Sequence, residues 1–295
     1  MPQRTGAWRF ADFSRRGCCI HWKQGAQKLE IGELTLEDAF LVNSGRLSVT
    51  RSMDLQGGMF LNAGKFETTA KTATLKDIAY FHNAQNANFN ATGQVILHTG
   101  NFSNNGNITA QDLNLVSSEL VNNAGTIETQ RILEINGLGG VLNSEILNGA
   151  SGKVTVRGTN FAQKGGVVAS EVNFLTDETV LSGESRGQIV NFEGKTQNNV
   201  VLDFQKGTVS GQFLNNSRNA KFGQLLDLKG NEATLQSDGV IQARKIVADS
   251  DDATIYSKNG EINSEKITVN KKNYKSRQIY RFCALLPLMQ IAISC

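Results

Sequence analysis

Phe60-Leu61-Asn62-Ala63-Gly64-Lys65-Phe66 and Phe102-Ser103-Asn104-Asn105-Gly106-Asn107-Ile108 are copies of one phrase, apolar-x-Asn-x-Gly-x-apolar, and its recurrence decides the fold. Leu41-x-Asn43-x-Gly45-x-Leu47 precedes them and Val121-x-Asn123-x-Gly125-x-Ile127 follows. Blurred copies fill the gaps. Phe81-x-Asn83 keeps the start, the copy beginning at Val141 loses only the glycine, and the copy beginning at Phe161 has Gln163 in place of asparagine. Leu235-x-Ser237-x-Gly239-x-Ile241 and Tyr256-x-Lys258-x-Gly260-x-Ile262 bring the phrase back near the end. Starts at 41, 60, 81, 102, 121, 141 and 161 are 19 to 21 residues apart. Such a period marks a solenoid, in which no single repeat can bury its own apolar face.

Within a repeat the apolar residues alternate, as in Leu47 with Val49, Val95 with Leu97, Leu113 with Leu115 and Leu133 with Ile135. Period two is the signature of a strand. Runs of four or five residues, bounded by Asn, Gly, Asp or Ser, predict two or three short strands per repeat. No sustained helical face occurs between Leu29 and Asn270. The fold class expected is therefore all-β, a single-stranded parallel β-helix of about 20-residue coils. With a rise of about 4.8 Å per coil, roughly 11 or 12 coils would span about 50 to 60 Å. Stacking places Asn43, Asn62, Asn83, Asn104 and Asn123 in one column, where their amides can form a ladder; a local turn role for the same residues is the rival reading. Phe60, Phe81 and Phe102 are expected to form an interior column. Gly45, Gly64, Gly106 and Gly125 are read as turn residues at positive φ, so that Gly106→Val should destabilise the array.

Composition bounds function without naming it. Glycine occurs 29 times, asparagine as often, and proline twice. The net charge of +3 is scattered, and no nucleic-acid surface is implied. Cys18, Cys19, Cys283 and Cys295 lie outside the repeats and have neither zinc nor disulfide-framework spacing. Residues 1–28 read as an atypical leader without order or an apolar signal run. Residues 29–270 form the repeat domain, and residues 271–295 a basic then apolar tail, a cap or disordered. No span reaches the roughly 20 apolar residues that cross a bilayer.

The search for chemistry gives little. His82 and His98 alternate outward as isolated residues, and no histidine accompanies a nucleophile. Asp249, Asp251 and Asp252 are the weak metal or catalytic candidate. They read as a solvated loop with no acidic neighbour in register. Gly137, Gly139 and Gly140 read as a turn between coils, with no dinucleotide-binding helix behind them. No catalytic residue and no cofactor is expected.

The repeated phrase, with tails such as Gly125-Thr126-Ile127-Glu128-Thr129, resembles the repeats of filamentous haemagglutinin and of contact-dependent growth-inhibition exoproteins, from about Leu29 to Asn270. The resemblance implies a right-handed β-helical shaft exported by two-partner secretion through an outer-membrane transporter. It implies a secreted or bacterial cell-surface location, and a host or neighbouring-cell receptor or glycan as partner. The Asn-Pro-Asn motif of the family's secretion domain and a recognisable toxin domain are missing from the sequence. The reading is a non-enzymatic structural and adhesive module, a fragment of such a shaft. The alternatives are a polysaccharide-active β-helix lyase or hydrolase, and a degenerate remnant without activity.

Overall fold

The structure, a computed structural model, describes residues 28–257 and 259–270, and the strand backbone alone at 7–8, 11–13, 19–22 and 290–294. The chain divides into two compact units, Met1–Gly152 and Lys153–Cys295. Both are built of parallel strands wound into a β-solenoid, and no helix occurs among the described residues.

In the first unit each coil lays its strands on the equivalents one coil away. Phe60 pairs with Phe81, Phe81 with Phe102 and Phe102 with Val121, while Asn62, Asn83, Asn104 and Asn123 keep the same register. The strands are longer than the four or five residues expected. Thr72–Asn83 has 12 residues and Gln94–Asn104 has 11. One strand turns a corner and serves two faces, because the corner is passed by a register shift instead of a break. Such shifts fall between Leu97 and Thr99 and between Ala110 and Asp112. A bulge of this kind bends a strand while keeping most of its ladder. Below residue 28, the strand Cys19–Trp22 lies on Phe40–Asn43, so pairing continues into the segment expected to be an unordered leader.

The interior follows from alternation. Phe60, Phe81 and Phe102 stack nearly parallel, with centroids 5.0 and 5.3 Å apart, as expected. A second column that the sequence reading did not separate, Phe66 on Phe89 at 5.0 Å, meets the first edge-on. Offset stacks crossed by edge contacts satisfy the ring quadrupoles and fill volume at the same time.

In the second unit the coils vary in length while the columns persist. Gln163, Leu181, Asn198, Asn215, Ser237 and Ser257 fall in one register. Where the inner position becomes Thr179 and Thr196, a neighbouring inner column carries Phe174 and Phe192, stacked at 5.6 Å. Bulk moves sideways by one column and the interior stays filled. Toward the end Ala220–Ser237 and Val240–Ser257 run 18 residues each, and Gln290–Ser294 pairs with Lys266–Asn270. The basic stretch of the tail at Lys271, Lys272, Lys275, Arg277 and Arg281, with Cys18, Cys283 and Cys295, lies outside the described residues. No helix among the described residues is long and apolar enough to cross a membrane.

Candidate functional site

The best-defined side-chain constellation is the asparagine column of the first unit. Asn43 Nδ2 donates to Asn62 Oδ1 at 2.8 Å, Asn62 to Asn83 at 2.8 Å, Asn83 to Asn104 at 2.8 Å, Asn104 to Asn123 at 2.8 Å and Asn123 to Asn143 at 2.7 Å. All six are buried. The turn role is realised by the same atoms, since Gly45, Gly64 and Gly106 each donate a backbone N–H to the Oδ1 two residues earlier. The second amide hydrogen is used too. Asn62, Asn83 and Asn104 donate to the carbonyls of Asn88, Asn107 and Thr126 at 2.9 to 3.2 Å. A carboxamide has two donors and two acceptor sites, and Asn62 and Asn104 fill all four. An aspartate of the same shape would bring no donor and would bury a charge. Ladder and turn are therefore complementary uses of one side chain.

The glycines of the phrase are required for a different reason from the one expected. Gly45, Gly64, Gly106 and Gly125 are not among the left-handed residues; positive φ falls at Gly57, Gly58, Gly140, Gly158, Gly194 and Gly230. What excludes a side chain is the coil beneath. A Cβ on Gly64 would lie 2.2 Å from the Gly45 carbonyl oxygen, one on Gly125 2.1 Å from that of Gly106, and one on Gly106 2.4 Å from that of Ala87. Gly137, Gly139 and Gly140 form the expected turn, closed by Gly140 N–H donating to the Gly137 carbonyl at 3.0 Å.

The candidates for chemistry are dispersed. His98 is half-buried. His82 is half-buried with its ring stacked on Tyr80 at 5.8 Å; burial leaves its Nδ1 without a partner and holds its pKa below the usual histidine value. Asp249, Asp251 and Asp252 do not form the loop expected, for they sit inside the strand Val240–Ser257. Nor do they lack an acidic neighbour: Asp252 is in register with exposed Glu232, while Asp249 faces Lys229. The Asp251 side chain lies outside the described residues. Among the described residues no group of three or more His, Cys, Asp or Glu side chains could hold a metal ion.

Ion pairs support the outer surface. Lys65 bonds Glu67, and that contact, reinforced by Lys28 and Arg46, keeps the Glu67 carboxyl below its ordinary pKa. Lys153 and Asn173 do the same for Glu171. Arg131 grips buried Asp112 with two nitrogens at the register shift, which raises the guanidinium pKa. The sequence reading missed that pair, because the two residues are 19 apart and only coil stacking brings them together.

Searches against protein-family models, curated proteins and solved structures found no match to this chain.

Proposed function

We propose that the chain is a non-enzymatic structural and adhesive module, part of the shaft of a secreted or surface-exposed exoprotein of the filamentous haemagglutinin kind. One observation carries the reading: the residues that define the repeat are used up in stacking. Asparagine amides bond the next coil, the glycines permit its approach and the phenylalanines fill its interior. A sequence so constrained inside and so varied outside suits a scaffold that presents its outer faces to partners. A receptor or glycan on a host or neighbouring cell is the partner expected, and an outer-membrane transporter the export route. Beads coated with the purified chain should be retained on such cells well above albumin-coated beads. Retention equal to albumin would remove the adhesive part and leave the scaffold.

A second reading, a polysaccharide-active enzyme, draws on the outward Glu232 and Asp252 in register on adjacent coils. Paired carboxylates are the usual tools of glycoside hydrolysis. It predicts new reducing or unsaturated ends from acidic glycans, lost in the Glu232→Gln and Asp252→Asn variants.

A further inference from the structure

In the unit of residues 153–295 an open groove of about 460 Å³ crosses three successive coils, with Lys221, Gln242, Arg244, Asn263 and Ser264 in its lining. Lys221 is in register with Gln242, and Gln242 with Asn263, so each coil contributes one polar side chain to a row. Arg244 stands at the adjoining corner, where its Nε donates to Glu265 at 3.3 Å. Just past that corner, Lys245 and Lys266 are exposed register partners.

We propose that this groove binds an acidic polysaccharide of uronate type, laid along the stacking direction with one sugar opposite each coil. The proposal rests on the adhesive reading above and gives it a ligand class and a site. The volume falls within the roughly 300 to 1,000 Å³ of ordinary ligand sites. Amide and hydroxyl side chains both donate and accept, which matches the dual character of sugar hydroxyls. In the lining Lys221 and Arg244 outnumber Glu265, and with the flanking Lys245 and Lys266 the cations still exceed the anions once Asp203, in register with Lys221, and Glu261, which accepts from Asn263, are counted. A guanidinium meets a carboxylate with two parallel hydrogen bonds. Spacing favours a sugar chain over an acidic peptide. Coils recur at about 4.8 Å, comparable to the length of one extended pyranose, whereas same-side residues of an extended peptide recur at about 6.8 Å.

The test is titration calorimetry of the purified full chain with defined oligogalacturonates, beside polyglutamate and a neutral cello-oligosaccharide. Oligogalacturonate should bind, more weakly as salt rises. The double variant Lys221→Gln/Arg244→Gln should lose roughly tenfold in affinity, the effect of removing charge-assisted bonds worth about 1.4 kcal/mol. Both side chains are exposed, so the thermal midpoint should not move. Lys28→Gln/Lys65→Gln in the other unit should change nothing. No binding of oligogalacturonate, equal binding of polyglutamate, or unchanged affinity in the groove variant would each overturn the proposal. Bead adhesion is read in parallel with the same variant. Adhesion that survives the double substitution overturns the groove alone, and adhesion absent from the unmodified chain overturns the adhesive reading instead.

Discussion

The two units solve the same stacking problem with different strictness. In residues 1–152 the phrase repeats at intervals of 19 to 21 with six ladder asparagines from Asn43 to Asn143, and five hydrogen bonds join each to the next. Residues 153–295 place Gln163, Leu181, Asn198, Asn215, Ser237 and Ser257 on the equivalent column, with steps as short as 17 and as long as 22. The ladder survives as fragments there. Asn198 bonds Asn215 at 2.8 Å, Asn215 reaches Ser237 Oγ at 3.3 Å, and Gln163 bypasses Leu181 to bond Ser185 Oγ at 3.1 Å. The invariant is therefore column register; neither repeat length nor asparagine itself is indispensable. An apolar Leu181 is tolerated because its neighbours found other partners. The same residue inside the first unit would strand groups already committed to it.

Three experiments probe that difference, beginning with the largest effect. Gly125→Ala should destabilise the first unit by about 3 kcal/mol, since its Cβ would lie 2.1 Å from a backbone oxygen. Gly166→Ala is the counterpart in the second unit. Nothing lies nearer than 4.0 Å to its Cβ, and it should be neutral or stabilising by about 0.5 kcal/mol through the unfolded chain. Denaturant titration of both variants checks the pair, and equal losses would contradict the close-approach account. Next, Asn83→Leu removes a donor to Asn104 and an acceptor for Asn62, leaving buried groups unpaired at a cost of about 2 to 3 kcal/mol. Leu181→Asn, the reverse exchange, should stay within about 1 kcal/mol of the parent. Comparable losses would mean that the column is as strict in both units.

The smallest effect is acid sensitivity. All three histidines of the sequence lie in the first unit, and His82 has a folded pKa below its unfolded value because burial disfavours the cation. The unfolded state then binds the proton more readily. The associated stability is present above the unfolded pKa of about 6.5 and is lost as pH falls from there toward the folded value. His82→Gln should flatten the dependence of the thermal midpoint between pH 7.5 and 5.5 by a small, measurable amount. An unchanged slope would place the sensitivity elsewhere.

Most of the fold was legible because, in the first unit, sequence spacing and spatial spacing are the same information. Asn62, Asn83 and Asn104 announce a column, and Phe60, Phe81 and Phe102 a second one. Legibility declined between Val167 and Leu235 for a physical reason. Thr179 and Thr196 replace the phenylalanine, their bulk reappears at Phe174 and Phe192, and the coil shortens, so letter and interval fail together. Phe213-x-Asn215 still keeps the opening of the phrase there. The glycines were located correctly and explained wrongly, since a sequence records that a side chain is missing but not which neighbour excludes it. The groove at Lys221 and Arg244 left no trace in local sequence. Its residues come from three coils and gain meaning only when 21-residue separations become adjacent rows.

The direction of the amide ladder has a further consequence. From Asn43 to Asn123 each carboxamide donates its nitrogen the same way along the first unit, and the last, Asn143, donates to the Glu145 carbonyl at 3.1 Å. Parallel dipoles in a dry interior reinforce one another. The first unit thus carries an electrical polarity that owes nothing to its ionised groups, and the two ends of the row are chemically unlike: amide oxygen leads at Asn43 and amide nitrogen at Asn143.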